Sequence, residues 1–104
     1  MTTFDDRESA FEAKFAHDEE MQFRAEARRN KLLGLWAAEL LGKKGDEADE
    51  YARTVVKADF AEPGIEDVVR KVAADLGDLA SADEIRAKMG ELLLIAKEQL
   101  VNEA

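Results

Sequence analysis

No cysteine occurs in this sequence, which excludes disulfides, thiolate metal ligands and cysteine nucleophiles and fits a reducing compartment. Histidine appears once, as His17, in a charged part of the chain. There is no His-Glu-x-x-His, and Lys14 stands where a Glu-x-x-His pair ending at His17 would need its carboxylate. No metal site and no catalytic residue is therefore expected, and the chain does not read as an enzyme. A solvated histidine is the ordinary reading of His17; a pH-sensitive role in docking is the functional one. Apolar runs fall well short of the ~20 residues that cross a bilayer. The N-terminus is acidic from Asp5 and lacks the basic-then-apolar order of a secretory signal. Direct membrane insertion is not expected, and a cytoplasmic location is.

Phosphate-loop chemistry is missing too. Gly42-Lys43-Lys44-Gly45 follows a helical pattern rather than a strand, and Lys44 occupies the place of the required hydroxyl residue. The acids outnumber the bases 24 to 15, for a net charge of −9. Residues 1–23 carry net −5, residues 24–44 net +4 and residues 45–104 net −8. A chain so acidic repels nucleic-acid phosphates, so nucleic acid is not an expected partner. The basic stretch contains Arg24, Arg28, Arg29, Lys31, Lys43 and Lys44. Its ordinary role is a solvated face that pairs with acidic neighbours. The functional alternative is weak anion binding through Arg28, Arg29, Lys31, Lys43 and Lys44.

What is present is helical periodicity. One proline and no alternating β-branched run leave little room for strands, and 104 residues suffice for one modest core. A helix is expected over about 19–41, with Leu33, Trp36, Ala37, Leu40 and Leu41 on its apolar face and Gly42 as a left-handed stop. Trp36 is expected to pack in the core, while Leu35 falls nearly opposite that stripe. A second helix, about 46–60, has Asp46 as expected N-cap and Ala48, Tyr51, Ala52, Val55 and Val56 on one face. A third, about 64–76, carries Ile65, Val68, Val69, Val72, Ala73 and Leu76 at helical spacing. A fourth, about 82–102, opens with the Ser81–Glu84 capping box and carries Ile85, Met89, Leu92, Leu93, Ala96 and Leu100. Gly90 either weakens that helix by about 1 kcal/mol or permits close packing. The short connections predict an all-α fold, a four-helix bundle over 19–104 with an N-terminal extension that is mobile or partly helical.

That extension holds the most informative pattern. Four of the five phenylalanines, Phe4, Phe11, Phe15 and Phe23, lie in the first 23 residues among charged neighbours. On a helix Phe4, Phe11 and Phe15 project within roughly 40° of one another. A seam this narrow cannot form a core by itself, so it either covers the bundle or binds a partner.

The runs Phe4-Asp5-Asp6-Arg7-Glu8, Phe11 to Asp18 and Phe23 to Ala38 resemble the zeta subunit family of alphaproteobacterial F-type ATP synthases. Tyr51, Val55, Val56, Asp59, Phe60 and the segment Asp67 to Val72 extend the likeness. The resemblance implies a natural inhibitor of ATP hydrolysis by the F1 catalytic sector, peripheral to the inner membrane when bound to the synthase. It implies a four-helix bundle as anchor and an N-terminal segment, about residues 1–18, that becomes helical as it inserts near a catalytic α/β interface and the rotor subunit. Phe4, Arg7, Phe11, Lys14 and Phe15 would then form the inhibitory segment. It also implies that no cofactor is required, although weak adenine nucleotide binding occurs in such a family. A monomer is expected for the free protein.

Overall fold

Gly42 stops the first helix in the way its position predicts. Its φ of 79° is left-handed, its N–H donates to the Glu39 carbonyl at 3.1 Å, and the Lys43 N–H reaches back to the Ala38 carbonyl at 2.9 Å. This paired closure is the Schellman pattern, and it turns the chain straight into the next helix. A computed structural model describes residues 19–58 and 64–103. Those residues form α1 (Glu19–Leu40), α2 (Asp46–Ala58), α3 (Glu66–Leu76), a short 3-10 turn (Gly77–Leu79) and α4 (Ala82–Glu103), with no strand among the described residues.

The four helices form the expected bundle, organised around α1. Arg28, early in α1, hydrogen-bonds Glu103 and Gln99 at the end of α4, while Trp36 lies under Lys88, 5.6 Å from ring centre to Nζ. α1 and α4 are therefore antiparallel. α1 and α2 approach most closely at Gly34, where an added Cβ would come within 2.6 Å of the Ala52 Cα. Only a residue without a side chain permits that crossing.

The core collects one face of each helix: Leu33 and Ala37, then Val55, then Val68, Val69, Val72 and Leu76, and finally Ala80, Ile85 and Met89. Each large apolar side chain buried here contributes about 1.5–3 kcal/mol relative to exposure. The three valines of α3 favour strands locally, yet their spacing buries them on one helical face, and packing outweighs the small propensity cost. Trp36, Leu41, Tyr51, Ile65, Ala73 and Leu92 pack around this centre. Ser81 and Glu84 form the reciprocal capping box, with the Glu84 N–H donating to the Ser81 hydroxyl at 3.1 Å.

Three local expectations need correction. Leu40 is 40% exposed, because the Gly42 turn carries the end of α1 past the core and leaves Leu41 to fill the edge. Asp46 is the first residue inside α2 rather than its N-cap; the Gly45 carbonyl accepts the Asp49 N–H, and the negative charge still suits the helix start. Gly90 is not a packing contact, since nothing among the described residues lies within 4 Å of a Cβ built there. Gly90→Ala is accordingly expected to stabilise the fold by about 1 kcal/mol, a rise of about 4–8 °C in melting temperature by calorimetry. An unchanged or lower melting temperature would show that the bare backbone at Gly90 is used.

A polar cluster ties α2 to α3. The Tyr51 hydroxyl donates to Asp75 Oδ2 at 2.9 Å, Lys71 Nζ donates to the same oxygen at 2.8 Å, and Lys71 sits 5.3 Å from the Tyr51 ring centre. Burial by itself raises the Asp75 pKa, but the hydrogen bonds from Lys71 and Tyr51 and the nearby positive charges outweigh it and leave the carboxyl below its ordinary value. Burial first, and then the bond to Asp75, push the Tyr51 phenol above its ordinary range. A depressed carboxylate pKa contributes stability above the unfolded value of about 3.9, and that contribution is lost as pH falls through the folded value. Asp75→Asn should therefore cost up to about 1 kcal/mol at neutral pH, limited by solvent screening, and almost nothing in strong acid. Urea unfolding at both pH values measures the difference; an equal cost at both would rule out the carboxylate charge as its source.

Candidate interaction site

The basic residues singled out in the sequence divide among several environments. Arg28 is held by Glu103 and Gln99 at the α1–α4 contact. Arg29 is buried and donates from Nε to the Asn30 side-chain oxygen at 3.1 Å. Asn30 is wholly buried, and its amide nitrogen has no hydrogen-bond acceptor among the described residues. Lys43 and Lys44 lie beyond the far end of α1, roughly 20 Å from Arg28 by helical rise. Arg28, Arg29, Lys31, Lys43 and Lys44 are thus not gathered at one point.

Lys31 instead faces two cations that sequence reasoning missed. Arg53 and Lys57 stand four residues apart on α2, and together with Lys31, Asp49, Ala52 and Val56 they line an open cleft of about 430 Å³ between α1 and α2. Ala52 is buried and Val56 half-buried, which makes the floor apolar, while the rim carries three positive charges and one negative. The i,i+4 spacing of Arg53 and Lys57 marked a shared face in advance. Their meeting with Lys31 depends on the Gly34–Ala52 crossing.

Most other cations are paired, although Lys43 and Lys44, like those of the cleft, form no ion pair among the described residues. Arg24 pairs with Glu20, Arg70 with Asp67, Lys71 with Asp75, Arg86 with both Glu66 and Asp83, and Lys88 with Glu91. Among the described residues Lys31, Arg53 and Lys57 form no ion pair. Among the described residues, no cluster of three His, Cys, Asp or Glu side chains could hold a metal ion. No helix there is long and apolar enough to cross a membrane. Phe4, Arg7, Phe11, Lys14, Phe15 and His17 lie outside the described residues.

The family model for ATPase inhibitor subunit zeta matches residues 1–99. The chain belongs to that family. The match takes in the phenylalanine seam, α1–α3 and α4 as far as residue 99, and it fits an inhibitor rather than a catalyst. A protein solved in solution by NMR is similar to this zeta-family chain, with 61% identity and a TM-score of 0.76 over 81% of this chain and 99% of its own. No curated protein matches.

Proposed function

We propose that this zeta-family chain inhibits ATP hydrolysis by the F1 sector of ATP synthase, with residues 1–18 as the effector and the bundle as its anchor. The effector docks as an amphipathic helix at a catalytic α/β interface beside the rotor subunit and blocks hydrolytic rotation. The observation that carries this reading is that α1–α4 by themselves supply a contiguous core among the described residues, from Leu33 through Met89, and in this reading Phe4, Phe11 and Phe15 serve a partner instead. Aromatic surface flanked by charge gains a helix when it is buried against a partner, and the ordering cost falls at that step. Family membership supplies the class of target. The protein acts by occupying a site, with no chemistry of its own.

Deleting residues 1–18 tests the proposal. Far-UV circular dichroism should keep the helical signal of the bundle, while inhibition of F1 hydrolysis should disappear. A truncated chain that inhibits as strongly as the full one would refute it.

A further inference from the structure

We infer that Arg28 is a positioning residue for inhibition: by clipping the first turns of α1 to the end of α4, it keeps folded the helical end from which residues 1–18 extend when they dock. This inference deepens the proposed function and rests on the reading of residues 1–18 as the effector. It starts from where the packed centre stops. The connected core reaches Leu33 on α1 and Met89 on α4. Of the described residues ahead of Arg29 only Ala25 is buried, and among those after Ala96 none is. The two helix ends, Glu19 to Arg28 and Lys97 to Glu103, therefore run beside each other past the core, and apolar burial does little to hold them.

A polar clip crosses between them. The Arg28 guanidinium donates to the Glu103 carboxylate and, at 3.4 Å, to the Gln99 side-chain oxygen. Hydrogen bonding from Arg28 holds the Glu103 carboxyl below its ordinary value. α4 has no basic residue in its last turn, so Arg28 also supplies from another helix the positive charge that suits the negative end of the α4 dipole. Arg24, one turn earlier on α1, pairs with Glu20 of its own helix and fixes nothing to α4.

The clip matters because of how helices grow. A free segment must first form a costly nucleus, whereas an existing helix end lengthens by one hydrogen bond for each residue fixed. The first turns of α1 offer such an end only while they are folded, so inhibition weakens by the fraction of chains in which they have frayed. Reversing either charge of the pair turns attraction into repulsion, a change of about tenfold in that balance. With about four chains in five clipped, a tenfold weaker clip leaves about two in seven, and the inhibitory concentration rises about threefold.

The test uses the full chain and three variants: R28E, E103R and the swapped pair R28E/E103R. E103R leaves Arg28 itself in place, so a loss of inhibition there comes through the clip, and it carries the test if R28E fails to fold. In each single variant the amides of Phe23 to Arg28, past the first turn whose N–H groups have no intrahelical acceptor, should exchange with solvent about threefold faster by NMR. The amides of Leu33 to Ala38 should keep their protection, and F1 hydrolysis should need about threefold more inhibitor. The swapped pair should restore both the slow exchange and the inhibition.

Parent-like exchange of Phe23 to Arg28 in the single variants would overturn the inference, as would faster exchange with unchanged inhibition. Lost protection at Leu33 to Ala38 would also overturn it, since the pair would then be a general support of the bundle. A swapped pair that regains slow exchange but not inhibition would overturn it too, because Arg28 would then touch the partner directly. A chain lacking residues 1–18 that still inhibits F1 would overturn the effector reading, whatever the exchange rates show.

Discussion

Gly34→Leu is expected to lower the melting temperature by about 12–24 °C, the loss that about 3 kcal/mol produces in a domain of this size. The reason lies in what a side chain would meet. A Cβ at position 34 comes within 2.6 Å of the Ala52 Cα, 3.0 Å of its Cβ and 3.3 Å of a Val55 methyl. The nearest of these is backbone, so no rotamer change relieves the overlap, and α1 and α2 must separate. Gly34→Ala is the finer test because two effects oppose each other. Alanine favours a helix over glycine by about 1 kcal/mol, while overpacking costs about 1–3 kcal/mol. Net destabilisation is expected, and Ala52→Gly should restore only part of it, because the closest atom is Cα rather than Cβ. A Gly34→Ala protein more stable than its parent would show that the helices part at no cost.

The second large effect concerns inhibition. Phe11→Ala combined with Phe15→Ala should raise the concentration needed to inhibit F1 hydrolysis about a hundredfold or more. Aromatic anchors buried at the centre of an interface cost about 2 kcal/mol or more each on truncation, and about 1.4 kcal/mol is a factor of ten. Single neutralisations at the charged flanks, such as Glu8→Gln, should change the inhibitory concentration by less than about tenfold, and chiefly through the association rate. The melting temperature should stay within about 2 °C of the parent, because α1–α4 supply the core from Leu33 to Met89 among the described residues. Dose–response measurements on F1 beside calorimetry separate the two readouts. A double variant that inhibits normally would remove the seam from the mechanism.

Features set by neighbours in sequence were legible beforehand. The Gly42 stop, the Ser81–Glu84 box and the buried valines of α3 each follow from spacing within a few residues. The four-helix class and the family likeness were legible for the same reason, since both rest on continuous runs of sequence. Features set by residues far apart were not. Gly34 looks like an ordinary helix weakness until Ala52, eighteen positions later, is placed against it. Arg53 and Lys57 look like solvated charges until the same crossing brings Lys31 to them. Leu40 fits the apolar stripe by angle alone, and its exposure follows from where the turn carries the helix end.

The antiparallel α1–α4 pair gives the bundle a polarity that matters for handling the protein. Each helix has 22 residues, so the pair forms a strut about 33 Å long. The Arg28–Glu103 contact puts the end of α4 beside the start of α1, where residues 1–18 join, and the Gly42–Gly45 turn sits at the opposite pole. A surface linker attached at the turn holds the protein by the pole distant from the start of α1, where the proposed effector joins. A bulky fusion after Glu103 instead lies beside the start of α1.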